Sequence, residues 1–168
     1  AIALITVTTD DLKEMLTQLP SASADWLRAT RFTANIGAMA AMPNADGSIK
    51  AVYVGLGAKG QTRVRFGIAA GAAKLPAGNY FLDTMLTGPA LDEAALGLLL
   101  SLYQFDRYKA APVQDRAFIA PIGIDAARIE ALAVGECLTR DLINTPAADM
   151  GPDELAGAAQ KLAIQHGA

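Results

Sequence analysis

The chain predicts an α/β fold with a mixed sheet flanked by helices, and three observations carry that prediction. Short β-branched runs alternate with helical patterns along most of its 168 residues, the order that builds a sheet covered by helices. Two of the runs are joined by a short turn-rich segment, so at least one strand pair is antiparallel and the sheet is mixed. The hydrophobic share is 52% against 18% charged, which is the balance of a folded core and not of a disordered chain. Much of that apolar share is alanine, which favours helix but buries little area. The core must therefore come from Leu, Ile, Val, Phe and Met.

Taken in order, residues 2–7 form a β-branched run suited to a first strand. Thr9 or Asp10 can then cap a helix carrying Leu12, Met15, Leu16 and Leu19 at helical spacing, stopped by Pro20. Residues 24–29 predict a second short helix that buries Trp26 and Leu27, and Phe32 follows where the chain enters the sheet. Residues 37–42 and 49–54 read as a hairpin across Asn44-Ala45-Asp46-Gly47-Ser48. Gly55-Leu56-Gly57-Ala58-Lys59-Gly60 reads as a glycine-rich loop, and residues 64–74 as an Ala-rich helix ending at Leu75-Pro76. Residues 79–82 make a short strand opened by Gly78. The strongest helix covers residues 91–104, with Asp92 and Glu93 at its start and Leu96, Leu99, Leu100 and Tyr103 as its apolar stripe. Residues 116–119 suit another strand.

Beyond this point the pattern changes. Asp125 can cap a long helix over residues 126–142 whose apolar residues fall on two ridges: Ile129, Leu132, Ala133 and Cys137, and Val134, Leu138 and Leu142. So wide an arc predicts a helix packed on more than one side, as between two domains. Glu136 and Arg140 lie one turn apart and can pair, which is worth about 0.3 kcal/mol. Thr145 precedes Pro146 and is pushed extended, so the helix ends near Asn144. Pro152, Asp153 and Glu154 restart a helix, and Leu155, Ala158, Ala159 and Leu162 give it one apolar face.

Several functional classes are excluded as expectations. The net charge is −3 and Lys and Arg are scattered without an aromatic-laced basic stripe, so no nucleic-acid partner is expected. The longest strongly apolar stretch, residues 94–103, is too short to span a bilayer, and no basic leader region is visible. A lone Cys137 forms no internal disulfide and suits a reducing cytoplasm. His166 is the only histidine, so neither a His-based zinc site nor a Ser-His-Asp triad can be assembled. Cys137, on an apolar face, reads as a structural thiol; the acids Asp10, Asp11, Asp92, Glu93, Asp153 and Glu154 sit at helix starts, where capping explains them. Arg107 and Lys109 read as solvated charges after a helix.

One motif suggests a ligand. Gly55 to Gly60 matches G-x-G-x-x-G between a strand and a helix, and Asp83 closes the next strand where a ribose-binding acid would stand. A nucleotide- or ADP-ribose-binding module built on the Gly55-Gly60 loop is therefore the alternative reading. Against it, a hairpin precedes the motif, and Gln61 to Arg65 is a polar start for a helix that must pack closely on a sheet.

The string Leu138-Thr139-Arg140-Asp141-Leu142-Ile143-Asn144-Thr145-Pro146-Ala147-Ala148-Asp149-Met150-Gly151-Pro152-Asp153-Glu154-Leu155 closely resembles the entry to the catalytic domain of the leucine aminopeptidase (cytosol aminopeptidase) family of metallopeptidases. There an R-x-L-x-N-x-P segment closes a linker helix and a G-P or T-P step opens the next. Tyr103-Gln104-Phe105-Asp106-Arg107-Tyr108-Lys109 similarly resembles that family's Y-x-F-x-x-Y-K stretch. The physical reading agrees, because two helices separated by a Pro-stiffened extended stretch fix an angle between successive units.

The resemblance implies a macro-domain-like N-terminal domain over residues 1–122, a linker helix over 123–145 and the first segment of a truncated catalytic domain over 146–168. It implies a full-length cytoplasmic metallo-aminopeptidase, assembled as a hexamer, that uses two divalent ions (Mn or Zn) on peptide substrates. Its own C-terminal catalytic domain would be the first partner of this segment, whose role would be scaffolding and oligomer assembly. The family's metal ligands are a lysine and several acids, including those of an N-T-D-A-E-G-R motif. Asn144-Thr145-Pro146 departs from that motif at Pro146, and no Glu-Gly-Arg follows. No catalytic, cofactor-binding or metal residue is therefore assigned to any position here.

Overall fold

Five strands, β1 (Ile2–Thr8), β2 (Met39–Pro43), β3 (Ile49–Gly57), β4 (Gly78–Asp83) and β5 (Arg116–Ile119), hydrogen-bond into one sheet in the order β2-β3-β1-β4-β5. The computed structural model describes residues 1–60 and 64–168. The β2–β3 pair is the antiparallel hairpin read from Asn44 to Ser48, and the other three pairings are parallel. The sheet is mixed, as the alternation of elements predicts. β3 is buried along both faces from Ala51 to Gly57, the condition of a central strand covered on two sides.

Helices α1 (Leu12–Gln18) and α2 (Ser21–Ala29) cover one face of the sheet. There Val7, Ala51, Tyr53, Ala40 and Met42 meet Leu27 and Phe32, with Leu12, Met15 and Leu16 packed alongside. Helices α3 (Val64–Ala72) and α4 (Gly88–Leu100) cover the other face. Leu4, Val52, Val54 and Tyr80 there bury against Ile68, Ala72, Ala94 and Leu98. A third layer begins with α5 (Ala126–Asn144), which lays Ile129 and Ala133 against Ala95, Leu96 and Leu100 of α4. The last helix is α6 (Pro152–His166).

Most boundaries fall where local signals put them, and the exceptions have physical causes. α1 is capped at Asp11, not at Thr9 or Asp10. Thr8 Oγ1 accepts from the Asp11 N–H at 3.2 Å and donates to its carboxylate at 2.7 Å, while the Asp10 carboxylate turns away to the N–H of Lys59 at 2.7 Å. α2 starts at Ser21, and only Ala24 and Leu27 of its residues are buried. Trp26 is 42% exposed, with its indole N–H donating to the Ala41 carbonyl at 2.9 Å on the sheet's edge. α4 begins at Gly88 with Pro89 in its first turn, so Asp92 and Glu93 lie a turn inside it and Tyr103 lies beyond its end. Its apolar residues form no single stripe. Held between the sheet, α3 and α5, it buries Leu91, Ala94, Ala95, Leu96, Leu98 and Leu100 around most of its circumference. The expected helix over 64–74 is shorter, and of the polar stretch 61–65 residues 61–63 lie outside the described residues.

Among the described residues, no helix is long and apolar enough to cross a membrane.

Candidate interdomain joint

The two sequence motifs that carry the family resemblance meet in space, at the end of α5. That helix starts on Asp125, whose carboxylate accepts from the Arg128 N–H at 3.1 Å, and Arg128 also reaches Asp92 of α4 at 3.3 Å. Near its other end Glu136 and Arg140 pair at 2.7 Å, and the Arg140 guanidinium stands 5.3 Å from the centre of the Tyr103 ring. The Tyr103 hydroxyl donates to Asp141 Oδ1 at 2.9 Å and accepts from Asn144 Nδ2 at 3.0 Å. Desolvation first, and the bond to Asp141 with it, push the Tyr103 phenol above its ordinary pKa, while the Asn144 donor pulls it back.

Four residues further on, Arg107 Nη1 donates to Thr145 Oγ1 at 3.2 Å. Thr145 is the buried polar side chain of the described residues, 6% exposed, and its hydroxyl donates to the Asp141 carbonyl at 2.7 Å. Its φ and ψ of −74° and 124° are the extended conformation that Pro146 imposes. Tyr108 packs its ring 5.9 Å from Phe105 and donates its hydroxyl to the Asp149 carboxylate, a bond that raises the phenol's pKa. The chain then enters α6 through Pro152, with Glu154 reaching back to accept from the Gly151 N–H at 3.0 Å. Between α6 and the 105–107 segment lies a cleft of about 450 Å³ bordered by Phe105, Arg107, Leu138, Thr145, Met150 and Lys161.

Arg107 is exposed, as expected of a solvated charge, and in addition bonds Thr145. Sequence spacing could not reveal this, since the bonded partners stand 38 to 41 residues apart. Lys109 is exposed. α5 buries Ile129 and Ala133 against α4 and half-buries Leu138 and Leu142, while Leu132 is 46% and Val134 67% exposed. The apolar face of α6 is open as well, with Leu155 51% and Leu162 43% exposed.

The glycine motif begins as strand and turns only at residues 58–60. Gly55 and Gly57 belong to β3 and not to a loop. A Cβ on Gly55 would stand 2.2 Å from the Asn35 carbonyl oxygen, so glycine is needed there for close chain packing. Three N–H groups of the motif are already engaged: Gly55 donates to Ala38, Gly57 to Ala34 and Lys59 to the Asp10 carboxylate. The Lys59 ammonium is held by Asp11 at 2.5 Å. β1 lies between β3 and β4, with Asp83 level with Ile5 and Gly55 level with Val7, so Asp83 stands two strands from the motif, roughly 10 Å across the sheet and offset along it.

Cys137 is half-buried, and burial chiefly raises its thiol pKa, the opposite of an activated nucleophile. Among the described residues, no three His, Cys, Asp or Glu side chains gather to hold a metal ion. The described residues therefore do not fit a two-metal centre.

Residues 2–121 match the family model described as the M17 aminopeptidase N-terminal domain. A protein named "Probable cytosol aminopeptidase" from Rhizobium meliloti (strain 1021) is 33% identical over 143 residues, covering 71% of this chain and 29% of its own length. Its namesake from Brucella ovis is 33% identical over 93 residues, covering 48% of this chain and 19% of its own. Among solved structures, the cytosol aminopeptidase of Coxiella burnetii superposes with a TM-score of 0.81 at 25% identity, covering 98% of this chain and 35% of that one. The bottromycin maturation enzyme BotP in complex with Mn gives a TM-score of 0.73 at 27% identity, covering 99% of this chain and 36% of that one. The chain therefore spans under a third of the length of these sequence relatives and about a third of these structures.

Proposed function

This chain belongs to the M17 aminopeptidase family, matching its N-terminal domain, and we propose that the protein it serves is a cytoplasmic metallo-exopeptidase that removes N-terminal residues from peptides. In this reading residues 1–122 are a scaffold domain, 123–145 a linker helix and 146–168 the entry to a catalytic unit. The observation that carries it is the joint: the Tyr103–Lys109 and Arg140–Asp149 motifs bind one another at the point where α5 turns into α6. The match to residues 2–121 ends just before α5 begins at Ala126, which supports the division.

The catalytic unit would supply a pair of divalent ions, Mn or Zn, to polarise the scissile carbonyl and generate a nucleophilic water. A solved relative in complex with Mn supports that choice. The residues of this chain hold no part of that centre in this reading. Their work is to shape the assembly, a hexamer of full-length subunits, and to present the catalytic unit in a set direction.

The test is an assay with Leu-p-nitroanilide and Mn²⁺. The 168 residues alone are expected to give no turnover. The same residues fused ahead of the catalytic portion of the Rhizobium meliloti relative are expected to give turnover and a hexamer. Turnover by the 168 residues alone would overturn the scaffold reading.

A further inference from the structure

The joint raises a physical question, because ordinary packing does not explain how α6 is held. None of its residues is buried. Leu155, Leu162 and Ile164 are 51%, 43% and 80% exposed, and a cleft separates the helix from the 105–107 segment. With little apolar area removed from water, the hydrophobic term that fixes most helices is small here. The end of α5 and the connection from Thr145 to Gly151 are instead engaged by three side chains of one short segment, Tyr103 on the helix end and Arg107 and Tyr108 on the connection. Tyr103 holds Asp141 and Asn144, Arg107 holds Thr145, and Tyr108 holds Asp149. The bonds land in order along the path out of α5, at Asp141 and Asn144, then Thr145, then Asp149. The Asp149 N–H also donates to the Pro146 carbonyl at 2.9 Å, so fixing the Asp149 side chain fixes this turn.

We propose that Tyr103, Arg107 and Tyr108 act as a strap: a positioning device by which the sheet domain sets the direction of α6. Phe105 packs against Tyr108, and the Arg107 guanidinium lies 5.7 Å from the Tyr108 ring centre, so the segment is braced from within. Two phenols with carboxylate acceptors suit this task. A bond to a charged group is stronger than a neutral one and is directional, whereas apolar contact permits sliding. α6 follows the turn because Pro152 and the Glu154–Gly151 bond stiffen its first residues. The strap rests on this geometry alone; that it aims a catalytic unit rests additionally on the aminopeptidase reading.

The test is backbone ¹⁵N relaxation on the 168-residue chain. In the unaltered protein α6 amides are expected to share the order parameters of the sheet, about 0.85. In the double variant Tyr103→Phe and Tyr108→Phe, which keeps both rings, those of α6 are expected to fall below about 0.6 while β1 and β3 stay unchanged. Asp149→Ala, at an exposed position that leaves the 103–108 segment intact, is expected to loosen α6 in the same direction. Asp149→Asn, which keeps an acceptor, is expected to loosen it less. A merely structural role would lower the unfolding midpoint without moving α6 relative to the sheet. The strap is overturned if α6 reorients freely in the unaltered protein, or if it keeps the sheet's order parameters in both the double variant and Asp149→Ala. Neither result bears on peptidase activity, so this proposal and the aminopeptidase reading fail separately.

Discussion

The sheet domain and the α5–α6 joint draw on the same alanine- and leucine-rich vocabulary, yet different forces hold them. In the sheet domain, Leu4, Val52, Val54 and Tyr80 of the strands and Ile68 of α3 are sealed completely, and helices cover both faces of the sheet. In the joint, α5 buries Ile129 and Ala133 and α6 buries nothing, while hydroxyls, carboxylates and a guanidinium make the connections. Burial is non-directional and large, so it stabilises without dictating an exact path. Polar bonds at the surface are individually weak but directional. A part of the molecule that must point somewhere is therefore reasonably built from the second kind, and a part that must not move from the first.

That contrast can be broken by substitution. Leu4→Ala in β1 is expected to cost about 3 kcal/mol by urea unfolding, through lost burial and the cavity left behind. Leu155→Ala on α6 is expected to stay within about 0.5 kcal/mol. Equal costs would mean that α6 is packed as the sheet is, and the comparison would collapse. An intermediate effect belongs to Asp125→Ala, which removes the cap on the Arg128 N–H. The expected loss is about 1 kcal/mol, seen as a lower urea midpoint, and Asp125→Asn should recover most of it.

The smallest effect tests the surface ion pair between the sheet and α1. The Lys59 hydrogen bond, then that of Thr8, holds the Asp11 carboxyl below its ordinary pKa. A lowered folded pKa means that the charged form is favoured by folding. The contribution is thus complete above the unfolded value, near 3.9, and disappears as pH falls through the lower folded value. Lys59 is raised, chiefly by the same bond, so its part persists through neutral pH and is lost as pH rises past its folded value. Both groups are solvent-exposed, so the effect is small. The difference in Tm between the protein and Asp11→Asn is expected to be steady from about pH 5 to 9 and to vanish below about pH 3. A difference that survives at the acid end would assign it to something other than charge.

Much of this architecture was legible because its signals are local. The β-branched run of β1, the Asn44–Ser48 turn, the Asp125 cap and the Thr145-Pro146 break each specify their element within a few residues. The failures share a cause. Trp26, large and apolar, reads as buried, but α2 turns Ala24 and Leu27 inward, and the indole N–H finds a carbonyl at the sheet's edge. α4 reads as a striped helix until α5 is seen packed on its outer side. α5 reads as two equal ridges until Ile129 and Ala133 are seen buried, Leu138 and Leu142 half-buried and Val134 exposed. Periodicity reports which residues are apolar, and only the neighbours decide which of them are covered.

The same division runs through the functional reading. By itself the sequence determined the α/β class, the hairpin, the helix breaks around Pro146 and Pro152, and the resemblance to the leucine aminopeptidases, since each resides in contiguous residues. Only the tertiary structure decided that Gly55 and Gly57 extend a strand, because the carbonyls of Ala34 and Ala38 that take their N–H groups come from the segment leading into β2. Only it joined Tyr103, Arg107 and Tyr108 to partners some forty residues away. A hydrogen bond needs two groups within 3 Å or so at the right angle, and no spacing along a chain encodes that closure before the fold brings the groups together.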